Sequence, residues 1–183
     1  KAQPAEPNPN GLVSIAAEHF TNNVPHGGAK WETIAGLGRT FDCMGVFPTT
    51  TPSIDAPERI AEVSPELDYQ FTATETGPTH VTVYAIPTHR INPQRGLRYA
   101  VAMDNHTPMI VQFEQSAGDT NRAWNQNVIR NTAITTTDHI VVGEGKHTLK
   151  IFMVDPGVLL EKIVISREAV PPSELGPPET KTP

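Results

Sequence analysis

The 183-residue sequence predicts an all-β chain folded as a two-sheet sandwich of about nine or ten short antiparallel strands, with at most one short helix. Two kinds of observation carry this. Short runs alternate apolar and polar residues with period two, and Gly- or Pro-containing breaks separate them at the spacing of a sandwich. The composition agrees, with 18 prolines punctuating segments rich in Thr, Val and Ile. No segment supports a βαβ unit or a helical bundle.

Residues 145–165 read as the spine. Leu149, Ile151 and Met153 fall on one face of a strand and Lys150 on the other. Asp155-Pro156-Gly157 breaks the chain, since Pro presets φ and Gly accepts a positive one. A second β-branched run follows to Ile165, with Glu161 in phase with Ile163 and Ile165.

Upstream, residues 1–10 carry Pro and Asn without periodicity and read as a linker, as if interior to a longer polypeptide. Residues 12–20 form a strand with Val13, Ile15 and Ala17 inward. Residues 21–30 form a loop, 31–39 a short extended piece, 49–57 a Thr/Pro loop and 58–63 an outer strand. Residues 67–74 and 80–86, joined by Gly77-Pro78, read as a hairpin; 97–103 and 109–114 read as a second. A break at Gly118 precedes one or two helical turns over 122–130, where Trp124 and Val128 lie four apart. Residues 133–142 are extended. The domain is placed at 11–168, with 169–183 as a Pro-rich tail that is disordered or laid on the surface.

A net charge of −6 argues against nucleic acid or an anionic membrane surface as the main partner. No apolar run has the length of a membrane span. The single cysteine, Cys43, rules out an intrachain disulfide, so the core must hold the fold. The Gly143–Thr148 run (GEGKHT) has the wrong spacing for a phosphate loop and reads as a turn. The seven histidines show no zinc spacing, and no catalytic triad can be assembled.

Trp31 and Trp124 flank loops. Each is either core packing or an aromatic platform for a sugar's C–H face, with Asn125 and Arg39 as companions that bind hydroxyl or carboxylate groups. Glu161, in phase with core residues, needs a partner. Either a basic side chain pairs with it, or it shares a calcium ion with Glu18 of the first strand.

Several segments together resemble one known module. They are VSIAAEHF, W-x-x-I-x-x-LGR at 31–39, PELDYQF, VTVYAIPT, N-P-x-RGLRYAV at 92–101, HTLKIFMVDPGVLLEKIVI and LGPPE. In this order they are similar to the C-terminal domain of glycoside hydrolase family 115, the xylan α-glucuronidases. The resemblance implies a jelly-roll-like sandwich related to carbohydrate-binding modules of families 6 and 35. It implies a non-catalytic module outside the cell or in the periplasm, working beside a catalytic domain on glucuronoxylan. It also implies a structural calcium at Glu18 and Glu161, with Ala16 standing where a further carboxylate is expected. A loop tryptophan of family 6 modules matches Trp124, whereas Leu159 stands where they carry a sugar-binding Asn. The alternative reading is a structural domain that docks on the catalytic domain, or forms a dimer, through an exposed apolar patch.

Overall fold

A computed structural model describes residues 3–40, 42–114 and 121–180; the break expected at Gly118 lies outside them. Eleven strands form two antiparallel sheets. The five-stranded sheet runs β2 (Asn22–Val24), β5 (Glu66–Ala73), β10 (Gly145–Met153), β7 (Leu97–Met103) and β8 (Met109–Glu114). The six-stranded sheet runs β3 (Lys30–Ile34), β4 (Cys43–Phe47), β11 (Leu159–Ser166), β6 (Gly77–Ile86) and β9 (Ala133–Val141), and β1 (Val13–Ala16) also pairs with β11.

The period-two residues behave as expected. Val13, Ile15, Leu67, Tyr69, Phe71, Leu149, Ile151, Met153, Ile163 and Ile165 all enter the core between the sheets. Such a core rests on the removal of apolar surface from water at roughly 25 cal/mol per Å².

The connections differ from expectation. β5 and β6 are not a hairpin: β5 pairs with β10 and β2, while β6 pairs with β11 and β9. The chain crosses between sheets at Gly77, whose φ of 151° is open to glycine. β10 and β11 likewise lie in opposite sheets, so Asp155-Pro156-Gly157 is a crossing too. Among the described strands, β3–β4 and β7–β8 are neighbours both in sequence and in a sheet. Alternation reveals which side of a strand is apolar and says nothing about which sheet receives it, so a tight turn looks alike in both cases.

Residues 58–63 are not a strand. Pro57–Arg59 is a 3-10 turn that continues into α1 (Ile60–Val63), opened by Pro57. Ile60 is its one buried residue and packs with Ala100, Ala102, Phe152 and Val154 in a small second core. One apolar anchor per turn suits a helical turn lying on a sheet, and the short side chains of Ala100 and Ala102 leave room for it. The expected helix over 122–130 is present as α2 (Arg122–Arg130).

Segments near both ends of the described residues are tied down. Ala5 donates to the Gln70 carbonyl at 2.9 Å and accepts from Thr72 N–H at 3.0 Å, so part of the expected linker packs on β5. The C-terminal segment is laid on the six-stranded sheet. Lys162 Nζ donates to the Leu175 and Pro177 carbonyls at 2.6 and 3.0 Å, and Thr180 N–H donates to Ser14 O at 2.9 Å.

Candidate functional site

α2, the loop 87–96 and the residues 35–40 build the site. Asn121 starts α2 outside helical geometry, and its Oδ1 accepts the Trp124 N–H at 3.1 Å, which fixes the first turn. Asn131 ends it in the left-handed region at φ 52°, an αL cap. No residue of α2 is fully buried; its two caps, its packing on β9 and a ring contact hold the helix. The half-buried Trp124 indole meets the His89 imidazole with centroids 4.7 Å apart and planes tilted by 49°.

His89 sits in a well-anchored loop. Thr88 Oγ1 donates to Gly157 O at 2.7 Å, and Arg95 pairs with Asp55. Just beyond it, Asp155, 2% exposed, accepts from Arg98 N at 3.0 Å, Nε at 2.7 Å and Nη2 at 2.9 Å. These contacts with Asp155 raise the Arg98 pKa further, by hydrogen bonding first. The result is a partly open aromatic pair on a braced surface, with Asn125 one residue along the helix.

Trp31 is elsewhere. It is 1% exposed in the core, and its Nε1 donates to Pro65 O at 3.1 Å. It presents no open face, so the expected pairing of Trp31 with Arg39 as a sugar platform is corrected to core packing. A Trp early in β3 follows the same alternation as any inward residue, and its nearness to a loop in sequence was misleading.

Arg39 belongs to the α2 side instead. Its guanidinium donates to the Arg130 carbonyl at the C-terminal end of the helix, where a cation complements the dipole. Its Nη1 also lies 3.6 Å from Glu174 Oε2, and Arg130 Nε lies 3.8 Å from Glu174 Oε1. His89, Arg130 and Glu174 were not singled out from sequence. His89 lies in a loop between two strands with no periodicity of its own, and nothing in a Pro-rich tail signals that Glu174 returns to the helix.

Glu161 does not share the face of Ile163 and Ile165. The pairing of β11 with β6 shifts register between Leu160 and Lys162, so the inward series runs Leu160, then Ile163 and Ile165. Glu161 stands at this bulge, where β11 changes its other partner from β4 to β1. It is 4% exposed, and its Oε1 accepts the N–H groups of Arg39 at 2.6 Å and Thr40 at 3.1 Å.

Glu18 lies nearby. Its Oε1 accepts from Asp42 N at 3.3 Å, whereas its buried Oε2 has no partner. Burial raises the Glu18 pKa above its ordinary value. Burial first, then the charges of Glu161 and Glu18, push the Cys43 thiol up to about 12, which leaves that thiol inert.

An unpartnered carboxylate oxygen in a desolvated, anionic spot suits a hard cation. Against this, no group of three or more His, Cys, Asp or Glu converges among the described residues. Ala16 contributes no carboxylate, and its N–H is taken by Glu179 Oε1 at 3.0 Å. Glu18 and Glu161 fit a calcium ion only if peptide carbonyls and water complete its shell. Leu159, at the position where related modules carry Asn, covers Gly45, where an added Cβ would lie 2.7 Å from Leu159 Cδ2.

A family model described as the glycosyl hydrolase family 115 C-terminal domain matches residues 7–179. A search of curated protein sequences returns no match. Among solved structures, a family 115 4-O-methyl-α-glucuronidase with specificity for decorated arabinogalactans aligns with a TM-score of 0.60 at 22% identity, covering 82% of this chain and 18% of that one. The isomaltodextranase of Arthrobacter globiformis aligns at 0.57 and 11% identity, covering 87% and 24%. A family 35 carbohydrate-binding module from Clostridium thermocellum aligns at 0.51 and 14% identity, covering 84% and 97%. At these identities the likeness is one of fold. The chain spans about a fifth of the family 115 enzyme's length.

Proposed function

This chain belongs to the family of glycosyl hydrolase family 115 C-terminal domains, and from that membership we propose that it is a non-catalytic module that binds plant cell-wall glycan of the glucuronoxylan type beside its catalytic domain, outside the cell or in the periplasm. The observation that carries this reading is the half-open Trp124–His89 pair on the braced loop 87–96. A pyranose stacks its C–H face on such an indole, with Asn125 beside it as the polar companion for the hydroxyls. Arg39, held at the end of α2, supplies positive charge at the same end of the sandwich. The same reading assigns a calcium ion to Glu18 and Glu161. Bound there, it would neutralise the buried Glu161 and the partly buried Glu18, and tie the turn after β1 to β11. No helix is long and apolar enough to cross a membrane among the described residues.

Affinity electrophoresis of the domain in gels containing glucuronoxylan, arabinoxylan or no polysaccharide tests the proposal. Retardation in a xylan gel that is lost in Trp124→Ala is expected; free migration in every gel overturns it.

A second reading has one observation in its favour. Met109, Ile140 and Val142 are exposed on or next to β8 and β9, the latter two at 57% and 68%, and the first two line a groove of about 470 Å³ with His106 and His139. An apolar surface of this kind suits docking on a neighbouring domain, and that role needs no glycan affinity.

A further inference from the structure

We infer that Arg39 and Arg130 form a carboxylate clamp at the C-terminal end of α2, and that Glu174 of the tail fills it as a displaceable stand-in for the acidic group of a glycan ligand. The inference rests on the glycan-binding reading above and adds to it a specific contact and a built-in competitor.

Two guanidinium groups from separate elements, the residues 35–40 and α2, converge on one carboxylate, one on each of its oxygens. Arg39 is set in place before any ligand arrives. Its main-chain N–H is bound to the buried Glu161, and its guanidinium is bound to the Arg130 carbonyl. A guanidinium fixed in this way gives a planar array of donors suited to a carboxylate.

Glu174 is a weak occupant. Its side chain is 52% exposed, and its contacts of 3.6 and 3.8 Å lie at the outer limit of ion pairing. Such exposed pairs contribute little to stability, so a competing carboxylate replaces one at small cost. The backbone need not move. Leu175, the next residue, has its carbonyl held by Lys162 at 2.6 Å, so the Glu174 side chain can swing away from an anchored tail.

The geometry also limits the ligand. Trp124 and Arg130 are six residues apart on α2, a rise of about 9 Å along its axis and a turn of about 120° around it. The ligand that matches this separation is an oligosaccharide whose acidic substituent lies away from the stacked ring.

The test compares a xylo-oligosaccharide bearing one glucuronic acid side group with its carboxyl-reduced, neutral counterpart. Affinities are measured by calorimetry for the unmodified domain, Glu174→Gln and Arg130→Gln, with melting temperatures to confirm folding. The acidic compound is expected to bind the unmodified domain more tightly, with a preference that shrinks as salt rises. Glu174→Gln should raise affinity for the acidic compound by about twofold to fivefold and leave the neutral one unchanged, because it removes the competitor. Arg130→Gln should abolish the preference while neutral binding persists.

Equal affinities in the unmodified domain, or a preference that survives Arg130→Gln, overturn the clamp. So does a Glu174→Gln variant that gains nothing for the acidic compound. Neutral binding without acid preference overturns the clamp alone and leaves the glycan-binding function standing. Binding of neither compound overturns both.

Discussion

Replacing Glu18 by Gln separates the two states available to the buried carboxylate pair. Without an ion, Glu18 carries a desolvated oxygen that nothing in the described structure satisfies, and one long hydrogen bond of 3.3 Å on the other. Its pKa in the folded state is therefore raised from the ordinary 4.5, with burial as the main cause. The unfolded side chain releases its proton at lower pH than the folded one. Ionisation thus favours unfolding, and stability falls as pH climbs from the ordinary value through the folded pKa. In chelator at neutral pH, Glu18→Gln removes that liability and should melt at or above the unmodified domain, with less loss of stability as pH rises from 4.5.

Calcium reverses the sign, because a cation bound to Glu18 favours the ionised form. A ligand present at a hundred times its dissociation constant stabilises by about 2.7 kcal/mol. For a domain of this length about 1 kcal/mol moves Tm by ~2–4 °C, so calcium should raise Tm by roughly 5–11 °C. Glu18→Gln should lose that rise. Differential scanning fluorimetry in calcium and in chelator, on both proteins, reads all four values. An unmodified domain with equal Tm in both buffers removes the ion from the account. A variant several degrees less stable than the unmodified domain in chelator refutes the unpartnered oxygen itself.

Other perturbations give independent checks. Asp155→Asn leaves a buried contact to Arg98 half-filled, and breaking such a pair costs about 3–5 kcal/mol, so Tm should drop by more than about 6 °C in thermal melts. Trp31→Phe keeps most of the ring and removes one donor from Pro65 O, which Met153 N–H and Ser64 Oγ still serve, so it should cost about 0.5–1.5 kcal/mol in urea unfolding while xylan retardation is unchanged; reduced retardation at unchanged stability would place Trp31 in the binding site after all. Glu161→Ala strands the N–H groups of Arg39 and Thr40 and should cost about 2–5 kcal/mol, read in the same urea experiment. Ending the chain after residue 168 removes both acceptors of the buried Lys162 ammonium, whose pKa is already lowered by burial, and should lower Tm; an unchanged melt would mean the tail contributes nothing to the fold.

The two sheets were legible because their inward residues obey a period of two, and Leu149, Ile151 and Met153 show it without interruption. β2 was missed because Asn22–Val24 is three residues long beside Pro25 and two glycines, so it has no room to show a pattern. Glu161 was misassigned for a different reason. A bulge adds one residue to the count and reverses which face follows, and no local propensity marks it. For the candidate site, α2 came from the helical spacing of Trp124 and Val128, and Trp124 itself from its place beside a loop, whereas His89 and Glu174 reach them only through tertiary placement of a loop and a tail. Trp31 shows the limit of reading exposure from flanking loops, since its strand turns the ring inward.

The pairing of β1 with β11 joins residues 13–16 to residues 162–165, and the tail then bonds back to Ser14. The first strand therefore has no sheet partner until nearly the whole domain has been synthesised. β6 likewise waits for β9 and β11. Contacts this distant in sequence fold slowly, and a half-made chain exposes unpaired strand edges. On the ribosome this domain can close only after residues 159–180 have emerged, which makes the appearance of that segment the step that commits it to fold.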